Sequence, residues 1–208
     1  MRPEGSSQPG GRAGLPAGFS LLEILASVAI LAILASVSVP LLAETVARER
    51  LHAAGLETTL LFRGLRQRAV AQRVSFGLRF TPAGSGWDYS LYQDGNGNGI
   101  RTADILAGRD PLVEGPRSAD ALHEGIRFGL PSGAIPQIPP GTGSIPNPGD
   151  PVKFGSSDIV SFSPSGSVSS GTLYLTDGRR ALGVVAYGPT GRIRVFRYDP
   201  ALGVWSGP

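Results

Sequence analysis

Gly18-Phe19-Ser20-Leu21-Leu22-Glu23 opens a run in which the next charge is Glu44, so that Ile24–Ala43 is wholly uncharged. A helix needs roughly 20 apolar residues to cross the hydrocarbon of a bilayer, and this run is that long. An ordinary secretory signal has a shorter apolar core with its small-residue cut site on the far side. Here the small-residue boundary is Gly18, before the run, so cleavage there leaves the apolar segment attached to the rest of the chain. A carboxylate at the edge of a membrane helix is costly unless partnered, which makes Glu23 a functional residue by default. A plain signal anchor with Glu23 at the interface is the competing reading, and it leaves the Gly-Phe-x-x-x-Glu spacing unexplained.

Before the run, residues 1–18 are rich in Gly, Ser and Pro and set Arg2 and Arg12 against Glu4. The basic bias keeps this leader cytoplasmic and sends the carboxyl end outward. Beyond the run, no proline occurs between Glu44 and Arg73. Ala47, Leu51, Ala54, Thr58, Leu61, Leu65 and Ala69 recur at three- and four-residue steps, with Arg48, Glu49, Glu57, Arg63 and Arg66 largely elsewhere. That is the periodicity of an amphipathic helix. The expectation is one long helix, apolar all round over 19–43 and amphipathic over 44–73. Pro40 is expected to kink or locally melt it, and Gly55 and Gly64 to weaken it.

Residues 74–208 read as strands and turns. Val74–Phe80 and Trp87–Gln93 alternate in part around a turn-rich Thr81–Gly86 segment. Short strand candidates follow at Pro111–Glu114 and Gly125–Leu130. Pro131–Pro151 is dense in Pro, Gly and Ser and reads as a long surface loop. Asp158–Ser163, Thr172–Thr176, Leu182–Tyr187 and Arg192–Tyr198 then form a meander. Several strands after one helix give an α+β fold: a long N-terminal helix packed on an antiparallel β-rich globular domain. The 208 residues suffice for one membrane helix and one such domain, and the absence of cysteine rules out disulfides and thiolate metal sites. The net charge of +3 rests almost wholly on arginine, Lys153 being the one lysine.

The leader ending in Gly18, Phe19 at the head of the apolar run and Glu23 within it resemble the class III signal of type IV pilins and type II secretion pseudopilins. The resemblance implies that a prepilin peptidase cuts between Gly18 and Phe19 and that Phe19 is N-methylated. It also implies that Glu23 pairs with the amino terminus of a neighbouring subunit, and that the protein has a pilin-like lollipop shape. The Leu60–Val70 helix running into a strand, the Asp-x-Asn-x-Asn-Gly turn and the late Gly191-Arg192-Ile193-Arg194 strand look like the GspH/FimT branch. The 131–151 loop falls outside that pattern. The resemblance implies a minor pseudopilin of a type II secretion system: a single-pass inner-membrane protein with its N-terminus cytoplasmic and its C-terminal domain periplasmic, drawn into a pseudopilus. Its partners would be prepilin peptidase, other major and minor pseudopilins, and secreted cargo or the secretin. The alternative is a FimT-like minor type IV pilin that binds DNA in natural transformation.

Two constellations bear chemistry. Asp94-Gly95-Asn96-Gly97-Asn98-Gly99 opens like an EF-hand calcium loop, with oxygen ligands at alternate positions and Gly at the sixth. The twelfth position is Ile105, and the acid Asp104 comes one residue early. A calcium site of Asp94, Asn96, Asn98 and Asp104 therefore competes with a plain turn, in which Asn and Gly tolerate positive φ. On the last long strand, Arg192 and Arg194 share a face, and Arg197 is out of phase unless a bulge intervenes. With Arg179 and Arg180 they form either a phosphate-binding patch for DNA or a solvated strand face and filament contact. An enzyme is not expected. His52 lies on the helix and His123 in a loop, no serine sits in a nucleophile elbow, and Asp88 and Asp110 read as turn or surface residues.

Overall fold

The computed structural model describes residues 20–84, 86–118 and 124–207. The leader, Gly18 and Phe19 lie outside the described residues, as do Ser85 and His123. Helix α1 runs from Leu21 to Gln72. The expected local melting at Pro40 does not occur, because the helix continues on both sides of it. A proline removes one i→i−4 bond, which the flanking turns can tolerate. The chain divides between Glu44 and Thr45 into two units.

In the first unit every described helical residue is exposed, and its most apolar window has a mean hydropathy of 2.5. A helix that is apolar all round demands an apolar environment. Two of its hydroxyls are satisfied within the helix, since Ser27 Oγ donates to the Glu23 carbonyl and Ser36 Oγ to the Ile33 carbonyl, both at 2.7 Å.

The second unit, from Thr45 onward, is α+β. Strands β1 (Phe76–Ala83), β2 (Gly86–Gln93), β3 (Leu112–Ser118) and β6 (Ile159–Phe162) form an antiparallel sheet in the order β3-β2-β1-β6. A short helix, α2 (Thr102–Leu106), lies between β2 and β3. The second antiparallel sheet has the order β10-β9-β8-β7-β4, with β5 also paired to β7. Its strands are β4 (Arg127–Phe128), β5 (Val152–Lys153), β7 (Gly171–Thr176), β8 (Ala181–Tyr187), β9 (Arg192–Asp199) and β10 (Val204–Ser206). The α1 half that belongs to this unit packs Leu51, Ala54, Phe62, Leu65 and Ala69 into one core with Phe76, Leu78, Val160, Phe162, Leu173, Leu182 and Val184 from both sheets.

Several sequence expectations shift. Leu61 is only partly buried, and Phe62 takes its place in the core with no exposure. Gly55 is a packing residue rather than a weak point, because a Cβ there would lie 2.7 Å from Leu182 Cδ1. The β1–β2 turn is shorter than expected, since Thr81–Ala83 remain in β1. Pro82 is accommodated because its nitrogen points to the same side as that of Phe80. The Phe80 N–H donates to the Asp158 carbonyl, away from β2, and the β6 pairing ends before Pro82. The strand expected over Gly125–Leu130 shrinks to β4, and α2, β5 and β10 had no clear sequence signal.

The 131–151 segment is irregular, as expected, but it is not a free surface loop. Ile135 and Ile145 are buried with Tyr174, Ala181, Phe196 and Trp205, and Ile138 packs against them. The Trp205 indole N–H donates to the Pro136 carbonyl at 2.6 Å. The register of β7, β8 and β9 puts Tyr174, Gly183 and Phe196 side by side, on the opposite face of the sheet from Leu173, Leu182 and Val195. The segment therefore covers the sheet face turned away from α1. Gly183 is needed there because a Cβ would collide with Ile138 Cδ1.

Candidate functional site

Ser20 caps α1. Its Oγ and its carbonyl both accept from the Glu23 N–H, at 3.3 and 3.0 Å. Ser-x-x-Glu is the spacing of a capping box, a local signal carried by Ser20-Leu21-Leu22-Glu23. Glu23 thus sits in the first helical turn, where a negative charge suits the helix dipole. Its side chain is exposed, as are those of Leu21, Leu22, Ile24 and Leu25 around it. A carboxylate in such a setting keeps its full demand for a cation once the helix leaves water.

The strand β9 pairs with β8 without a bulge, from Ala181↔Tyr198 to Tyr187↔Arg192. Arg192 and Arg194 therefore share one sheet face, and Arg197 lies on the other. Arg192 and Arg194 border two clefts. One, of about 620 Å³, also includes Thr172, Val185, Tyr187 and Pro189. The other, of about 410 Å³, brings them to Arg63, Arg66 and Gln67 of α1. Arg66 is fixed there by its Nε, which donates to the Gly166 carbonyl at 2.6 Å. The second cleft has no carboxylate in its lining. In the sequence, Arg63 and Arg66 show only the polar side of a helix. Their approach to β9 depends on tertiary packing and has no local signal.

Arg197 instead joins Arg48, His52 and Arg180 around a third cleft of about 330 Å³. Burial lowers the His52 pKa from its ordinary value. Arg197 acts in the same direction, Glu49 opposes it, and Arg48 and Arg180 add lesser lowering effects.

The Asp94–Gly99 turn closes on itself. Asp94 accepts from the N–H groups of Asn96 and Gly97 with one oxygen, at 3.1 and 2.7 Å, and from Gly99 with the other, at 2.8 Å. Asn98 turns its amide donor to Asp104 Oδ2 at 3.0 Å, and Arg109 Nε donates to Asp104 Oδ1 at 2.6 Å. Those two bonds, Arg109 first, hold the Asp104 carboxyl below the usual carboxylate range. The side-chain oxygens of Asp94, Asn96 and Asp104 thus accept from N–H donors, and Asn98 takes part through its amide nitrogen. Among the described residues no group of three or more His, Cys, Asp or Glu is arranged to hold a metal ion. Asp110 corrects its sequence reading. It is buried, and its two oxygens accept from the Gly95 and Arg101 N–H groups, both at 3.2 Å. Gly95 is required beside it because a Cβ would run into the Arg109 carbonyl.

An apolar helix that begins at a capped serine, carries one carboxylate in its first turn and leads into an α+β unit defines a pilin-like class of protein. The prokaryotic N-terminal methylation motif matches residues 16–39, covering Gly18, Phe19, Glu23 and most of the apolar run. The motif marks a structural protein of the type IV pilin kind, processed by prepilin peptidase and assembled with other pilin-like subunits. No curated protein and no solved structure matches the chain.

Proposed function

We propose that the chain is a minor pseudopilin of a type II secretion system, of the GspH/FimT kind. It would be held in the inner membrane by Ile24–Ala43 with its β-rich unit in the periplasm. The methylation motif over residues 16–39, placed on an exposed apolar helix, carries this reading. In it, the peptidase cuts between Gly18 and Phe19, and the freed, methylated amine of one subunit pairs with Glu23 of the next. Glu23→Ala removes one member of that pair. Breaking a buried charge pair costs about 3–5 kcal/mol, so incorporation into filaments should fall about a hundredfold or more while insertion and cleavage stay normal. Cross-linking of the variant to its neighbours in membranes measures this, and wild-type cross-linking by Glu23→Ala would end the pairing role.

A second reading, a FimT-like minor pilin that binds DNA, draws on a separate observation. Arg192 and Arg194 share a sheet face and meet Arg63 and Arg66 at a cleft lined by no acid. Arginines that line one cleft suit a phosphate backbone. If Arg192 and Arg194 bind phosphates, Arg192→Ala/Arg194→Ala should flatten the dependence of log affinity on log salt by about 1.8 for duplex DNA. The pseudopilin reading predicts weak binding by wild type and no further loss in the variant. A gel-shift titration at two salt concentrations separates the two readings.

A further inference from the structure

We propose that the open edge of β9, from Arg192 to Val195, takes an extended acidic segment of another protein as an added antiparallel strand. The inference rests on neither reading of the filament, and it gives the cleft between α1 and β9 a different occupant from the DNA of the second reading.

The open edge follows from the register. The Tyr174 N–H donates to the Pro151 carbonyl and the Tyr174 carbonyl accepts from the Gly129 N–H, both at 3.0 Å, so both groups point away from β8. Hydrogen-bonded and non-hydrogen-bonded pairs alternate along an antiparallel ladder. Tyr174↔Gly183 is therefore a non-hydrogen-bonded pair, and Gly183↔Phe196 and Val185↔Arg194 are hydrogen-bonded. The N–H and C=O groups of Ile193 and Val195 then point away from β8. On that side β10 pairs only with Arg197–Asp199. Among the described residues no backbone partner meets Ile193 or Val195 there. Ile193 is only 8% exposed, and shielded main-chain groups without partners are costly. A strand laid along the edge supplies both the donors and the acceptors.

The cleft of about 410 Å³ follows this edge. Ile193 faces α1 as part of the shared core, and Arg192 and Arg194 face the other way. All three line the cleft, together with Arg63 and Arg66 of α1 and with no carboxylate. An added strand alternates its side chains between the two faces. Its residues opposite Arg192 and Arg194 fall in non-hydrogen-bonded pairs, where side chains are closest, and opposite charges there are favourable. The occupant thus carries Asp or Glu two residues apart. No two Asp or Glu residues of this chain are so spaced, and a second copy of the β9 edge would set arginine against arginine. The occupant is therefore a segment of another protein. A phosphate backbone accepts hydrogen bonds and donates none, so it would leave the Ile193 and Val195 carbonyls unpaired.

The test uses the full chain in neutral detergent micelles and a fluorescein-labelled peptide, Asp-Thr-Asp-Thr-Asp, followed by anisotropy. In the proposed register the Asp side chains oppose Arg192 and Arg194, and the Thr amides donate to the Ile193 and Val195 carbonyls. N-methylation of both Thr amides removes two main-chain bonds and should weaken binding about tenfold or more. N-methylation of the Asp amides, which point away from β9, should leave binding nearly unchanged. Arg192→Glu/Arg194→Glu should reverse the preference, so that Lys-Thr-Lys-Thr-Lys binds better than the acidic peptide. An unchanged thermal midpoint shows that this variant is folded. Arg192→Ala alone, at an exposed position, should weaken binding by up to about fivefold and keeps the proposal testable if the double variant does not fold. No binding of the acidic peptide at millimolar concentration overturns the proposal, as does wild-type affinity in both arginine variants. Equal binding of the two N-methylated forms also overturns it, and leaves the cleft to charge alone, as the DNA reading uses it.

Discussion

A chain carrying Gly18→Val is expected to remain full length in the membrane, with no detectable mature form. The peptidase must admit the residue before the cut while the apolar helix behind it stays in the bilayer. Gly18 is the last small residue before Phe19 and the apolar run, and under the proposed cleavage a branched side chain at that point would crowd the peptidase site. The consequence reaches assembly. An uncleaved chain keeps its leader, with Arg2 and Arg12, in front of the helix, and its positive terminus is then 18 residues away from where Glu23 of a neighbour would meet it. Gly18→Val and Glu23→Ala should therefore share a failure to enter filaments and differ in processing. Mass spectrometry of protein purified from cells containing the peptidase measures the difference: wild type should begin at a methylated Phe19 and the variant at Met1. Wild type that still begins at Met1 under those conditions would remove the prepilin reading.

The long helix was legible because its signal is local. An uncharged run of membrane length and a three-and-four-residue stripe need nothing from the rest of the chain. The stripe left one choice open. From Thr58 a step of three leads to Leu61 and a step of four to Phe62, and both are apolar. The sheets decide, because Phe62 meets Phe154 and Phe162 at ring-centre distances of 6.2 and 5.6 Å. The 131–151 segment shows the same division. Its Pro and Gly content correctly signalled irregular backbone, while Ile135, Ile138 and Ile145, spaced through it, could not say which surface they cover. Arg192 and Arg194 were legible as a pair because strand alternation is a local rule. Arg63 and Arg66, more than a hundred residues earlier, were not. The Asp94 turn was ambiguous for a further reason. Calcium loops and hydrogen-bonded turns both favour Asp, Asn and Gly. The orientation of the backbone here is fixed by Asp110, which has no place in the six-residue motif.

The same packing makes Phe62→Ala the most damaging single change expected in the folded unit. Phe62 is fully buried where α1 crosses both sheets, and its ring contacts Phe154 and Phe162 edge-on at interplanar angles of 71° and 64°. Truncating a buried Phe to Ala costs about 3–5 kcal/mol, because the cavity adds to the lost transfer energy. A domain of this size has roughly 5–15 kcal/mol in all, and each kcal/mol moves its thermal midpoint by about 2–4 °C. The midpoint of Phe62→Ala in a Thr45–Pro208 fragment should therefore fall by about 6–20 °C. Leu60 is the control: it lies two residues away on the same helix and is 55% exposed. Leu60→Ala should change stability by no more than about 0.5 kcal/mol. Calorimetry on wild type and both variants reads the contrast. A fragment without a cooperative transition would mean that Thr45–Pro208 does not fold on its own. A cooperative fragment in which Phe62→Ala melts with wild type would mean that the helix does not present this face to the sheets.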